Sequence, residues 1–371
     1  LVAVRQIQRS KLFKCAHLRT LENAALIRQF LGNLVDAFQG GAQRLFRHHG
    51  LNRTGDLAAG ASQQAGPPAR FGFVPTTDLV KLFLFVGVEF FHRLFLRSLW
   101  CTLTAKLRPQ QSARMCLIAF AFNVRADYPL LLVANRDEFH DRAAAPMDWW
   151  DDAPDVLAGR DLREQGTWLG VSRNGRAAAV TNVRLPADMA PPPSLSRGKL
   201  ISDYLRGALG AHEFAASLEA DASKFGAFNL LLYQPGALLY VRNVPNFSCT
   251  EVSAGVHALS NAQLDDPWPK ACVVQKAMEQ WVATDLSDEA SLLSSMHSDA
   301  RAPDEQLPDT GVGLEMERML SPAFIRTPTY GTSCTSVLRM GADHQISLRE
   351  IRFNANGQRS GERREIFIAS A

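Results

Sequence analysis

From residue 116 onward, the apolar residues come in short runs of five to eight, separated by turn residues. Runs of that length between Gly, Pro and Asn punctuation read as strands. Cys116–Phe122 (CLIAFAF) is apolar throughout, as expected of a strand buried on both faces. Tyr128–Ala134 is a second run, followed by the polar cluster Asn135-Arg136-Asp137-Glu138. Gly166–Val171 and Ala177–Thr181 flank Arg173-Asn174-Gly175-Arg176, and Asn-Gly between two such runs predicts a hairpin. Phe228–Tyr233 and Ala237–Val241 predict another around Pro235-Gly236, and Val256–Ser260 a strand that delivers Asn261. Strands over Cys334–Met340, Gln345–Phe353 and Glu365–Ala369 close the chain.

Helical spacing appears in pairs. Ser196–Leu209 and Ala211–Lys224 form one predicted pair, Pro269–Ala283 and Ser287–His297 the other. In Pro269–Ala283, Ala271, Val274, Met278 and Trp281 share one face, and a proline in the first turn is compatible with a helix. Pro186, Pro191–Pro193 and the polar stretch Arg301–Gly311 read as loops. Trp149-Trp150, set among Asp148, Asp151 and Asp152, reads as a capped loop packed on a sheet edge, with the lining of a ligand mouth as the alternative. Short turns make the sheets antiparallel. Paired helices argue against alternating βαβ units. The expected fold is α+β: two antiparallel sheets face to face, with helices on both outer faces.

Charge separates this region from what precedes it. Residues 1–114 carry 16 Lys/Arg against 5 Asp/Glu, whereas 115–371 carry 24 against 32. None of the 8 methionines precedes Met115. Leu79–Phe91 is apolar but broken by Lys81 and Glu89, and too short to span a membrane. Gly60–Ala69 reads as linker. We therefore expect a working domain over 115–371 that opens at Met115–Cys116. Residues 1–114 are expected to be a spurious or disordered N-terminal extension from a mis-assigned start. A targeting peptide and a basic nucleic-acid-binding module are the alternatives. The 6 cysteines show no C-x-x-C spacing, which points away from zinc sites and disulfide frameworks and towards a reducing, cytoplasmic setting.

A start at Met115–Cys116 carries chemical meaning. Methionine is commonly removed before a small residue, which would leave Cys116 with a free α-amine beside its thiol. Such an amine titrates at about 7.7–8.0 and can act as a general base. That is the N-terminal-nucleophile (Ntn) arrangement for amide cleavage. Arg136 can hold a thiolate or a substrate carboxylate, and Asp137 can orient the amine. Asn182 and Asn261, at strand ends, can supply an oxyanion hole, although amides there also suit turns. A small buried hydrophobe at Cys116 and a surface ion-pair cluster at 135–138 are the plain alternatives.

Several motifs occur in one characteristic order: Met115-Cys116-Leu117-Ile118, Asn135-Arg136-Asp137-Glu138, Gly166-Thr167-Trp168-Leu169-Gly170-Val171, Thr181-Asn182-Val183, Ser196-Arg197-Gly198, Phe228-Asn229-Leu230, Leu259-Ser260-Asn261-Ala262, Pro267-Trp268-Pro269-Lys270 and Tyr330-Gly331-Thr332. With these the chain resembles the NRDE family, also called the transport and Golgi organisation 2 family, over about residues 115–371. The resemblance implies a four-layer αββα Ntn-hydrolase-like sandwich, distantly similar to choloylglycine hydrolases and penicillin V acylases. It implies catalytic roles for Cys116, Arg136, Asp137 or Glu138, Asn182 and Asn261. An Arg usually follows Tyr-Gly-Thr in the family, whereas this chain has Ser333.

Two functions follow as expectations. One is a cysteine amidohydrolase acting on a non-peptide or acyl amide bond. The other is a non-enzymatic trafficking or carrier protein on a retired hydrolase fold, which the resemblance ties to haem or to lipid and acyl-CoA handling. Neither requires a cofactor or metal. The expected partner is a small-molecule or lipid-like ligand, haem among the candidates, with no nucleic acid and no membrane span.

Overall fold

The computed structural model describes residues 116–186 and 193–370. Met115, residues 1–114 and the expectations placed on them lie outside the described residues, as do Pro191 and Pro192. Six strands form one antiparallel sheet: β1 (Cys116–Phe122), β2 (Leu130–Phe139), β10 (Gly255–Leu259), β11 (Tyr330–Met340), β12 (Gln345–Phe353) and β13 (Arg359–Ile368). Their spatial order is β10-β1-β2-β11-β12-β13. A second antiparallel sheet runs in chain order through β3 (Ala144–Trp150), β4 (Ala153–Asp161), β5 (Leu169–Ser172), β6 (Ala177–Asn182), β7 (Phe228–Gln234), β8 (Ala237–Arg242) and β9 (Ser248–Glu251).

Strand alternation sorts the side chains into layers. Ile118, Phe120 and Phe122 of β1 pack between the sheets with Leu157, Leu169, Val171 and Leu231. Leu117, Ala119 and Ala121 point the other way, onto Ala271, Val274, Met278 and Trp281 of helix α3 (Pro269–Val282). The outer face of the second sheet, with Leu230, Leu232, Leu239 and Val241, is covered by α1 (Gly198–Arg206) and α2 (Ala211–Leu218). Each central strand is thus buried on both faces, which is why CLIAFAF shows no alternation. The result is the expected αββα sandwich.

Local differences have local causes. The first predicted helix stops at Arg206, before Gly207. The second tightens after Leu218 into a 3₁₀ turn over Glu219–Lys224, where Ala222 is the one buried residue. The fourth shortens to α4 (Ala290–Met296), and a helix the pattern did not single out, α5 (Leu314–Leu320), follows the polar loop. Trp149-Trp150 is not a loop but the end of β3. Trp150 enters the core beneath α1 and donates Nε1–H to the Ala158 carbonyl at 3.1 Å. Trp149 meets Phe367 edge-on and lies under the Arg173 guanidinium. The Asn135–Glu138 cluster is also not a strand end. It lies within β2, because β1 and β11 pair with it on either side as far as Arg136 and Phe139 respectively.

Candidate active site

The site begins from strand register. Cys116 opens β1 opposite Arg136, Arg136 lies opposite Cys334 on β11, and Cys334 opposite Arg352 on β12. Partners across an antiparallel sheet share a face, so thiols and guanidinium groups alternate along one row. A bulge between Thr332 and Cys334 takes Ser333 out of register. This extra residue reaches Arg136 twice. Its hydroxyl accepts from Arg136 Nη1 at 3.1 Å and donates to the Arg136 carbonyl at 3.0 Å. Arg136 Nη2 also lies 3.4 Å from Glu138 Oε2. The cation is therefore held at the row's centre by a serine and a carboxylate.

The Cys116 thiol is buried, and the Asp137 backbone N–H favours its charged form only weakly. Burial, reinforced by the Asp137 charge, pushes its pKa up to about 12, although Arg136 pulls the other way. The thiol is accordingly neutral here and needs a base to become a nucleophile. Asp137, on the opposite face of β2 from Arg136, is also buried. Its Oδ1 accepts the Thr332 hydroxyl at 2.6 Å, while Oδ2 is buried with no hydrogen-bond donor among the described residues. Burial raises the Asp137 pKa against the opposing influence of Lys270, the Thr332 bond and Arg136.

The two asparagines meet at the same end of the sandwich, on different sheets. Asn182 ends β6 and Asn261 follows β10 by two residues. Asn261 Nδ2 donates to the Asn182 carbonyl at 2.8 Å, and the Arg184 N–H returns to the Asn261 carbonyl at 2.8 Å. Ser260 links them to β1, its hydroxyl 3.3 Å from the Cys116 carbonyl. Behind this seam, Thr181 Oγ1 donates to the Ser260 carbonyl, and Asn229 donates to Thr181 Oγ1 and to the Ala262 carbonyl. All five residues proposed from sequence thus gather at one end, with Cys116, Arg136 and Asp137 adjacent.

Sequence reasoning assigned no role to Lys270, Thr332 or Ser260. Lys270 is buried and donates to the Leu320 carbonyl at 2.9 Å. A signal for it existed. The residue lies in the first turn of α3, where the helix dipole disfavours a cation. Lysine there asks for a compensating charge. Among the described residues no group of three or more His, Cys, Asp and Glu is placed to hold a metal. No described helix is long and apolar enough to cross a membrane.

A family model described as Transport and Golgi organisation 2 matches residues 115–355. The chain belongs to the Transport and Golgi organisation 2 family. A Bos taurus Transport and Golgi organization protein 2 homolog is 30% identical over 260 residues, covering 64% of this chain and 92% of the relative. The Drosophila melanogaster Transport and Golgi organization protein 2 is 26% identical over 266 residues, covering 64% and 91%. Among solved structures, the Caenorhabditis elegans N-acylethanolamine-hydrolyzing acid amidase ortholog covers 60% of this chain and 92% of its own, at 8% identity and a TM-score of 0.37. A mutant conjugated bile acid hydrolase from Clostridium perfringens covers 68% and 96%, at 10% identity and a TM-score of 0.37. In this Transport and Golgi organisation 2 chain, the tetrad Asn135–Glu138 spans both faces of β2. Asn135 and Asp137 face the helices, while Arg136 stands in the thiol row.

Proposed function

We propose that this protein is an N-terminal-nucleophile cysteine amidohydrolase acting on acyl amide bonds. The observation that carries the reading is the free oxygen of Asp137. A buried carboxylate oxygen without a donor is costly, and this one belongs to the residue that follows Arg136, the strand partner of Cys116. A free α-amine on Cys116 would supply the missing donor and the missing base together.

The reaction then runs in two stages. The amine takes the thiol proton as sulfur attacks the carbonyl carbon. The C–N bond breaks, the proton passes to the leaving nitrogen, and a thioester remains on Cys116. Water, deprotonated by the same amine, attacks the thioester, releases the acid and restores the thiol. Arg136 offsets the charge gathered at sulfur, and Asn182 and Asn261 shape the end of the sandwich where the carbonyl oxygen would sit. Cys249 and Cys272 are exposed free thiols, a state that fits action in the reducing cytoplasm.

The test is a chain expressed from Met115, checked by intact mass for a Cys116 terminus, and assayed against fatty-acyl amides. Cys116→Ala and Cys116→Ser are expected to abolish hydrolysis without loss of fold. Unchanged turnover in either variant would end the reading. A carrier without catalysis is the second reading, favoured by Ser333 where the family usually has Arg and by the neutral thiol. Saturable acyl-CoA binding in calorimetry, or a haem spectral shift, from a hydrolytically silent wild type would support it.

A further inference from the structure

A ladder of four charged side chains runs from the thiol row to an exposed loop. Arg136 Nη2 lies 3.4 Å from Glu138 Oε2, and Arg142 Nε lies 3.5 Å from that same oxygen. The Arg142 Nε–H points more closely at Asp161 Oδ2, at 2.7 Å, and Arg142 Nη2 reaches the same Asp161 oxygen at 2.6 Å. All four side chains are largely buried, where a charge without a partner is costly.

Asp161 is fixed by the loop it opens. Its Oδ1 accepts the N–H groups of Arg163 and Glu164 at 2.9 and 3.2 Å, and its own N–H donates to the Gly166 carbonyl at 2.9 Å. Leu162 N–H donates to the Ala143 carbonyl, which ties this β4–β5 loop to the β2–β3 connection that carries Arg142. Residues 162–165 of the loop are exposed. The ladder thus joins the cysteine centre on one sheet to a loop of the other.

The distances show how the charge is divided. Two guanidinium groups share Glu138 at long range, whereas Asp161 takes Arg142 at close range. A carboxylate shared in this way offsets Arg136 only in part. The remaining positive charge stands beside Cys116, the strand partner of Arg136 on the same face. Without Arg142, Glu138 would turn wholly to Arg136. Without the Asp161 charge, Arg142 would lean on Glu138 and leave Arg136 less offset.

We propose that Arg142 and Asp161 are positioning residues of the cysteine centre. They set how much of Glu138 is available to Arg136, and so how strongly that guanidinium favours a thiolate or a substrate carboxylate beside it. This deepens the amidohydrolase reading and rests on it for the use made of the thiolate. The division of charge along the ladder does not, and it can be read without any turnover.

The experiment uses the chain expressed from Met115 and processed to Cys116. The readout is the rate of Cys116 alkylation by iodoacetamide at one mildly alkaline pH, followed by peptide mass spectrometry, because that rate follows the thiolate fraction. An opposite charge nearby favours the ionised thiol. Arg142→Met is therefore expected to slow labelling severalfold, and Arg142→Lys to restore it. Asp161→Asn is expected to quicken it severalfold; the amide keeps an acceptor for the Arg163 and Glu164 N–H groups, so the loop is preserved. A role in stability alone would move both variants the same way. In a Glu138→Gln background the Asp161→Asn effect is expected to vanish, since it acts through Glu138. Where hydrolysis is measurable, kcat/KM should follow the alkylation rates. Shifted alkylation with no hydrolysis would count against the amidohydrolase reading alone. Equal rates in wild type and Asp161→Asn, a Cys116 that labels in neither included, would overturn the proposal. So would changes of one sign in Arg142→Met and Asp161→Asn, or an Asp161→Asn effect that persists without Glu138. Should Arg142→Met fail to fold, the Asp161→Asn and Glu138→Gln cycle decides by itself.

Discussion

Arg184, two residues beyond β6, forms an ion pair with Glu317 on α5, and both side chains are almost wholly buried. The same guanidinium lies 5.1 Å from the Trp268 ring centroid, and Thr310 N–H donates to the other Glu317 oxygen at 3.1 Å. The pair joins α5 to the segment after β6 and lines a small cavity with Lys270 and Trp268. Removing one partner strands a buried charge, which costs about 3–5 kcal/mol. Arg184→Met and Glu317→Met are each expected to lose stability on that scale in urea unfolding. Arg184→Met/Glu317→Met should lose much less than their sum. Additive losses would show that the two charges are not coupled.

The cysteines should separate by reactivity. Cys249 and Cys272 are exposed, whereas Cys116 and Cys334 are buried and their thiols are pushed well up by burial. Alkylation of the full chain near neutral pH, read by peptide mass spectrometry, is expected to label Cys272 and Cys249 first. Cys116 and Cys334 should label at a comparable rate only in denaturant. Rapid native labelling of Cys116 in that chain, whose residue 116 is acylated by Met115, would mean that its thiolate forms without the free amine.

His257 provides a pH-dependent element away from the site. Its Nδ1 lies 2.7 Å from Asp265 Oδ2 and its Nε2 3.0 Å from the Ser253 carbonyl, and it stacks on Phe120. The Asp265 bond, ahead of the opposing effect of burial, raises its pKa above 6.5. A histidine whose folded pKa is raised contributes stability below the unfolded value, and this is lost as pH rises through the folded one. His257→Gln should therefore cost more stability below pH 6.5 than in alkaline buffer. The partly exposed carboxylate keeps the effect modest and salt-sensitive. Equal destabilisation at both pH values would remove the charge from the account.

Sequence alone determined the strands whose residues are apolar on both faces, the α3 face carried by Ala271, Val274, Met278 and Trp281, and the order in which Cys116, Arg136 and Asp137 arrive. These are local quantities: a run of apolar residues, a helical period, a turn dipeptide. Short turns and paired helices extended them to the layered fold, the strand ends to Asn182 and Asn261, and the motif resemblance to an Ntn-hydrolase-like sandwich. Tertiary structure decided the rest. β3 and α5 take their burial from elements distant in sequence, so their own patterns are weak. The 135–138 cluster extends β2 because β11 pairs with it, and Asp137 meets Thr332 across 195 residues. A side chain's polarity is written in the sequence, but the water it loses is set by what folds over it. That is why Cys116 could be named from its place in the chain, while the neutrality of its thiol, the unused oxygen of Asp137 and the burial of the Lys270 amine emerged only from the packed sandwich.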